Sequence, residues 1–124
     1  MSLVYFSIGE FACKHCGENK IDVAFVKELD DLRHRYGRPL IVTSGYRCPI
    51  HNAKVSSTGR DGPHTTGHAA DLAVDRADAF RLLRIAMTMR FTGIGFQQKG
   101  GGRFIHLDDL PSTASTPRPT IWSY

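Results

Sequence analysis

Asp71 stands in the run Ala69-Ala-Asp-Leu-Ala-Val74, where every neighbour is small or apolar. An unpartnered carboxylate buried there would cost several kcal/mol, on the order of the effective penalties for buried ions. An arginine, backbone donors or a metal must compensate it. His64 precedes it on a loop of Gly, Pro and Thr, and His106 follows it inside a second apolar run, Phe104-Ile-His-Leu107. Two imidazoles and one carboxylate offer three protein ligands and leave a fourth position open. That is the stoichiometry of a catalytic zinc site, whereas structural sites usually take all four ligands from the protein. The metal-free alternative makes each histidine a satisfied core group and pairs Asp71 with Arg47 or Arg60.

A second set of metal-type residues lies upstream. Cys13-Lys-His-Cys16 has zinc-like spacing, and Cys48-Pro-Ile-His51 could complete a Cys₃His structural site. Packed free thiols or one disulfide involving Cys48 are the alternatives. His15, His34 and His68 read as solvated or unassigned positions.

The elements that must position these groups follow from local patterns. Asp22 is an N-cap for a helix to about Tyr36, stopped by Gly37. Its apolar stripe is Phe25, Val26, Leu29, Leu32 and Tyr36. Residues 40–43 read as a strand ending in the turn Ser44-Gly45-Tyr46-Arg47, with a short helix near 51–55 and an exposed loop over 56–62. A buried strand over 69–74 is followed by a helix starting at Asp75 or Asp78 and running to about Arg90, with Phe80, Leu83 and Met87 among its apolar residues. Strands at 93–96 and 104–107 flank a Gly-rich loop, and the Pro/Ser/Thr-rich tail is expected to wrap the body with Trp122 as its anchor. Helices and strands without βαβ alternation give an α+β class with a small antiparallel sheet. A length of 124 residues suits one domain, 1–124.

The ordered motifs carry a family resemblance. His64-Thr-Thr-Gly67-His-Ala69-Ala-Asp71 matches the His-x-x-Gly-x-Ala-x-Asp signature of the zinc D-alanyl-D-alanine carboxypeptidase and L-alanyl-D-glutamate endopeptidase family, which has the hedgehog/DD-peptidase fold. Ser44-Gly-Tyr-Arg47, Gly93-Ile-Gly95, Phe104-Ile-His-Leu-Asp108 and the Arg118-to-Trp122 ending resemble further elements of that family, in the same order. The resemblance implies zinc (Zn2+) held by His64, Asp71 and His106. It gives Arg47 the substrate carboxylate or the oxyanion of the attacked amide, a task suited to a permanently charged guanidinium fork. Several members carry an acidic residue three positions before the last histidine ligand, and here that position is Arg103. Asp108 is the substitute general base, since positions two apart on a strand share a face. Its other reading is an acceptor that orients a ligand histidine, and Asp109 is a remote third choice for the base.

The implied activity is hydrolysis of a D-amino-acid-containing amide in the peptide stem of bacterial peptidoglycan, by a carboxypeptidase or an endopeptidase. Small phage endolysins are the members it most resembles. The alternative is a non-catalytic zinc-stabilised module binding cell wall or protein. A formal charge of +4 (16 basic minus 12 acidic side chains) and a pI of about 9.2 suit an anionic wall. Nucleic acid is not expected as a partner, because no dense basic stripe with interleaved aromatics is present. No apolar run reaches membrane-span length, and the opening residues lack signal-peptide features. The expectation is a monomer made in the cytoplasm that reaches the wall by a separate route, as in phage or prophage lysis.

Overall fold

The computed structural model describes residues 3–124, so the first two positions of the stretch read for a leader lie outside it. Among the described residues, five strands form one sheet: β1 (Ile41–Ser44), β2 (Ala69–Ala73), β3 (Gly93–Gln97), β4 (Phe104–Asp108) and β5 (Thr120–Ser123), in the spatial order β1-β2-β4-β3-β5. All neighbours are antiparallel except β5, which runs parallel to β3. Three helices accompany them: α1 (Val23–Tyr36), α2 (Pro49–Val55) and α3 (Arg76–Ala86). The class is α+β, as the sequence implies. The tail does wrap the body, but as an added edge strand. Pro117 and Pro119, on either side of Arg118, lead directly into it.

The α1 boundaries agree with its capping signals. Asp22 Oδ2 accepts the Phe25 N–H at 2.9 Å, and Gly37 closes the other end at φ 81°. Phe25, Val26, Leu29 and Leu32 are fully buried, each contributing roughly 1.5–3 kcal/mol of apolar transfer energy. In α2 the helix begins earlier than expected, because Pro49 suits a first helical position and the Cys48 sulfur accepts the His51 N–H. In α3 the buried positions are Ala79, Leu82 and Ala86, whereas Phe80 and Met87 are exposed.

Strand parity divides the sheet into two chemically different faces. Val42, Ala70, Leu72, Ile94, Ile105 and Leu107 join the helices in the main core. Asp71, His106, Asp108 and Trp122 occupy the other parity. An irregularity between Val42 and Ser44 shifts β1 so that Ser44 lies opposite Asp71. One rung then crosses the whole sheet: Ser44, Asp71, His106, Gly95, Trp122.

The two glycines of β3 make this face possible. A Cβ on Gly95 would lie 2.6 Å from Cε2 of the Trp122 indole, and one on Gly93 would overlap the Asp108 carboxylate. Gly95→Ala is expected to lower stability by about 1–3 kcal/mol in urea unfolding through overpacking, with a change in Trp122 fluorescence. Gly101→Ala, whose added Cβ meets nothing within 4 Å, is the control and should stay within about 0.5 kcal/mol of wild type.

Candidate functional site

Three side chains from separate elements converge on the non-core face. His64 comes from the short 3-10 turn Pro63–Thr66, Asp71 from β2 and His106 from β4. His64 Nε2 lies 3.3 Å from Asp71 Oδ1, and His106 Nδ1 lies 3.2 Å from both His64 Nε2 and Asp71 Oδ1. All three residues are buried, with exposures of 5%, 6% and 1%.

Second partners decide which atoms of these rings face inward. The Gly45 carbonyl, 2.9 Å from His64 Nδ1, can only accept, so Nδ1 carries the proton and Nε2 presents a lone pair. Asp108 Oδ2, 2.7 Å from His106 Nε2, likewise accepts and turns the His106 Nδ1 lone pair toward Asp71. Asp108 is fully buried and is held by Arg118, with Nε to Oδ1 at 2.9 Å and Nη2 to Oδ2 at 2.7 Å. Two neutral imidazoles and a carboxylate thus aim three acceptors at one point, which a cation must satisfy. Ligands about 2.0–2.1 Å from one tetrahedral zinc stand roughly 3.3 Å apart, and the observed spacings fit. The carboxylate and carbonyl behind the two rings are the outer partners that metal-binding histidines require.

Burial alone would push His106 down, but Asp108 and Asp71 on its two sides raise it. Burial pushes His64 down and outweighs its contact with Asp71. Burial also works against ionised Asp71, yet the adjoining His106 and His64 rings hold its carboxyl well below the usual range. For Asp108, burial is likewise overcome by His106 and Arg118, bringing it down to about 2.

Arg47 stands at the rim of this centre. Its Nη2 lies 3.7 Å from Asp71 Oδ2, while Nε and Nη2 donate to Ser44 Oγ at 3.2 and 3.0 Å. Its Nη1 donates to Asn52 Oδ1 at 2.9 Å, and Asn52 is itself buried and anchored on Thr58 Oγ1. Of the two arginines offered as partners for Asp71, Arg47 is the one beside it, and Arg60 is exposed. A cleft of about 680 Å³ opens over these groups, with Thr58, Gln97, Phe104, Trp122 and Tyr124 in its walls. Among the described residues lining it, Asp71 is the only acidic one.

Other sequence-singled residues lie elsewhere. Asp109 pairs with His68 at 2.9 Å, so His68 is partly buried and not simply exposed. His34 is exposed, with Nδ1 2.8 Å from the Tyr5 hydroxyl. Cys13, Cys16 and Cys48 do come together, all as free thiols, with ligand atoms within 4.8 Å of one another. Burial pushes the Cys13 thiol up, but N–H donation led by Cys48 outweighs it and brings it down to about 7. His51 does not take the expected place beside them: its ring stacks on His15, and it is His15 Nδ1 that lies 3.8 Å from Cys48 Sγ. The role of Arg118 was not legible beforehand; its only signal was its place in the Arg-to-Trp ending.

A family model described as Peptidase M15 matches residues 4–108, and no curated protein matches the chain. No helix among the described residues is long and apolar enough to cross a membrane.

The depressed carboxyls have a consequence for acid stability. A group held below its ordinary value stays ionised in the folded state while the unfolded chain takes up protons, so folding stability falls as pH drops. Metal-free protein should lose urea stability as pH falls below about 4, the loss setting in near the ordinary carboxyl value of about 3.9 and continuing toward the folded Asp108 value of about 2. Asp108→Asn should make that slope shallower by up to about 1.4 kcal/mol per pH unit. A slope unchanged by the substitution would contradict the assigned partners of Asp108.

Proposed function

The chain belongs to the peptidase M15 family, and from that premise we propose that it is a zinc metallopeptidase hydrolysing an amide in the stem peptide of bacterial peptidoglycan, at a bond involving a D-amino acid. The observation that carries this reading is the convergence of three proton acceptors, His64 Nε2, Asp71 Oδ1 and His106 Nδ1, beneath an open cleft. Zinc held there would supply a Lewis acid for the scissile carbonyl and would lower the pKa of a water.

The chain's own groups divide the remaining work. Arg47, oriented by Ser44 and Asn52, keeps its guanidinium aimed across the cleft toward Asp71. It would donate to the substrate's terminal carboxylate or to the oxyanion that develops from the carbonyl. Asp108 was open to two readings, and its burial, its contact with His106 and its fork on Arg118 favour orientation of His106 over general-base action. A carboxylate with both oxygens engaged behind a ligand ring has no path to a proton in the cleft. Trp122, with its ring centroid 5.0 Å from that of His106, walls the ligand from one side. The aromatic and hydroxyl lining offers an extended peptide both apolar contact and hydrogen bonds.

A second reading, a zinc-stabilised module that binds wall peptide without cutting it, draws on one observation. Arg103 occupies the position where several family members carry an acid, and no acidic residue other than Asp71 is among the described residues lining the cleft.

Incubation with purified peptidoglycan, followed by mass analysis of the fragments, separates the two. The peptidase reading expects new stem-peptide fragments that a chelator abolishes and added zinc restores. Arg47→Ala should lower kcat/KM roughly 10²–10³-fold with zinc content retained, and His64→Ala should lose the metal itself. A substrate requirement for a free terminal carboxylate would mark a carboxypeptidase, and cleavage within a cross-linked stem an endopeptidase. Binding to the wall with retained zinc and unchanged muropeptides across several wall chemotypes would favour the module.

A further inference from the structure

Cys13, Cys16 and Cys48 take no part in the site above, yet the fold brings them together from two separate segments. Cys13 and Cys48 are buried with Tyr46 in a small cluster apart from the main core, and Cys16 is exposed at its rim. Three side chains make a poor apolar core, so this end of the molecule lacks the packing that fastens the rest. The surrounding backbone is shaped as a sulfur-binding turn. Gly17, at φ 79°, lets its N–H return to the Cys13 carbonyl at 2.8 Å, and the Cys13 N–H reaches Glu18 O at 2.7 Å. Amide groups point at the sulfurs: Cys48 N–H donates to Cys13 Sγ and His51 N–H to Cys48 Sγ, each at 3.4 Å. Such donors favour thiolate, the form that binds metal. Sulfurs about 2.3 Å from one tetrahedral zinc stand roughly 3.8 Å apart, which the mutual spacing below 4.8 Å allows. His15 Nδ1 lies 3.8 Å from Cys48 Sγ on the exposed turn, outside the cluster of three sulfurs, and a rotation of its side chain would bring it to the fourth position.

We propose that Cys13, Cys16, Cys48 and His15 hold a structural zinc ion that ties the N-terminal turn to the loop carrying Arg47. Four protein donors close the coordination sphere, and the thiolate-rich set suits zinc over harder divalent ions. The tie has a functional address. Arg47 directly precedes Cys48, and Tyr46 N–H already bonds the Phe11 carbonyl at 2.7 Å. The ion would therefore hold both sides of the turn from which the Arg47 guanidinium projects. This site shares no residue with His64, Asp71 and His106, so it stands or falls independently of the peptidase reading.

Elemental analysis and cobalt substitution test it. Wild-type protein should carry two zinc ions per chain. His64→Ala/His106→Ala should keep one, and Cys16→Ser, at an exposed position, should also keep one. Cobalt in the wild-type chain should give the near-ultraviolet thiolate-to-cobalt absorption that a His/Asp site cannot produce, and Cys16→Ser should reduce it strongly. That spectrum needs no variant beyond the wild type, so it decides the matter even where a substitution impairs folding. His15→Ala should release the second zinc to a weaker chelator, whereas His51→Ala should not. Only one zinc in the wild-type chain and none in His64→Ala/His106→Ala, absence of the sulfur-to-cobalt band, or a disulfide among the three cysteines in freshly purified protein overturns the proposal. Zinc release by His51→Ala alone overturns the choice of His15.

Discussion

Three hydrogen-bond acceptors meeting in a buried place form the constraint around which this molecule is arranged. His64 Nε2, Asp71 Oδ1 and His106 Nδ1 would repel one another without a positive charge between them, and water is largely excluded from the residues that carry them. The surrounding structure exists to keep the lone pairs aimed inward. Gly45 holds the proton on the outer nitrogen of His64, and Asp108 holds it on the outer nitrogen of His106. Asp108 can do so only as an anion, and Arg118 supplies the buried countercharge that keeps it one. A relay of Arg118, Asp108 and His106 thus runs from the C-terminal segment into the centre.

The sheet supplies the geometry for that relay. Because Asp71, His106, Gly95 and Trp122 lie on one rung, their relative positions are set by backbone hydrogen bonds and not by flexible loops. The opposite parity fills the core with Leu72, Ile105 and Leu107, so slipping any of these strands by one residue would bury the ligands and expose the core. The absence of side chains at Gly93 and Gly95 leaves space on the same face for a carboxylate and an indole. Arg47 is fixed differently, through Ser44, Asn52 and the turn between β1 and α2. That arrangement ties the Arg47 guanidinium both to Ser44 at the end of the rung and to buried Asn52 in α2.

Much of this was legible in advance because the signals are local. Asp22 and Gly37 bound α1 by capping chemistry, and the apolar stripe of Phe25, Val26, Leu29 and Leu32 needed only helical periodicity. The α+β class and four of the five strands followed from short apolar runs. The anomaly of Asp71 among small apolar residues pointed to a compensated charge, and the spacing around His64 and His106 pointed to a metal-type donor set. β5 was not legible, because the residues before it carry Pro, Ser and Thr and its pairing with β3 is a long-range event. The buried side of α3 was also hidden, since Phe80 outranks Ala79 on any hydrophobicity scale, yet Ala79 is the one that joins the core while Phe80 is exposed.

Residue types and their order therefore determined the family, the fold class and the donor set, because those depend on chemistry and spacing along one chain. Tertiary structure decided the roles that depend on direction. Asp108 and His106 share a strand face in the sequence pattern, but only the folded chain reveals that Asp108 sits behind the ring, with Arg118 closing both its oxygens. By spacing His51 was the expected companion of the three cysteines and His15 was unassigned, whereas the folded chain brings the His15 ring to Cys48. Sequence spacing constrains which groups can meet, but which atom of a ring or carboxylate faces its neighbour is set by every other hydrogen bond that group makes.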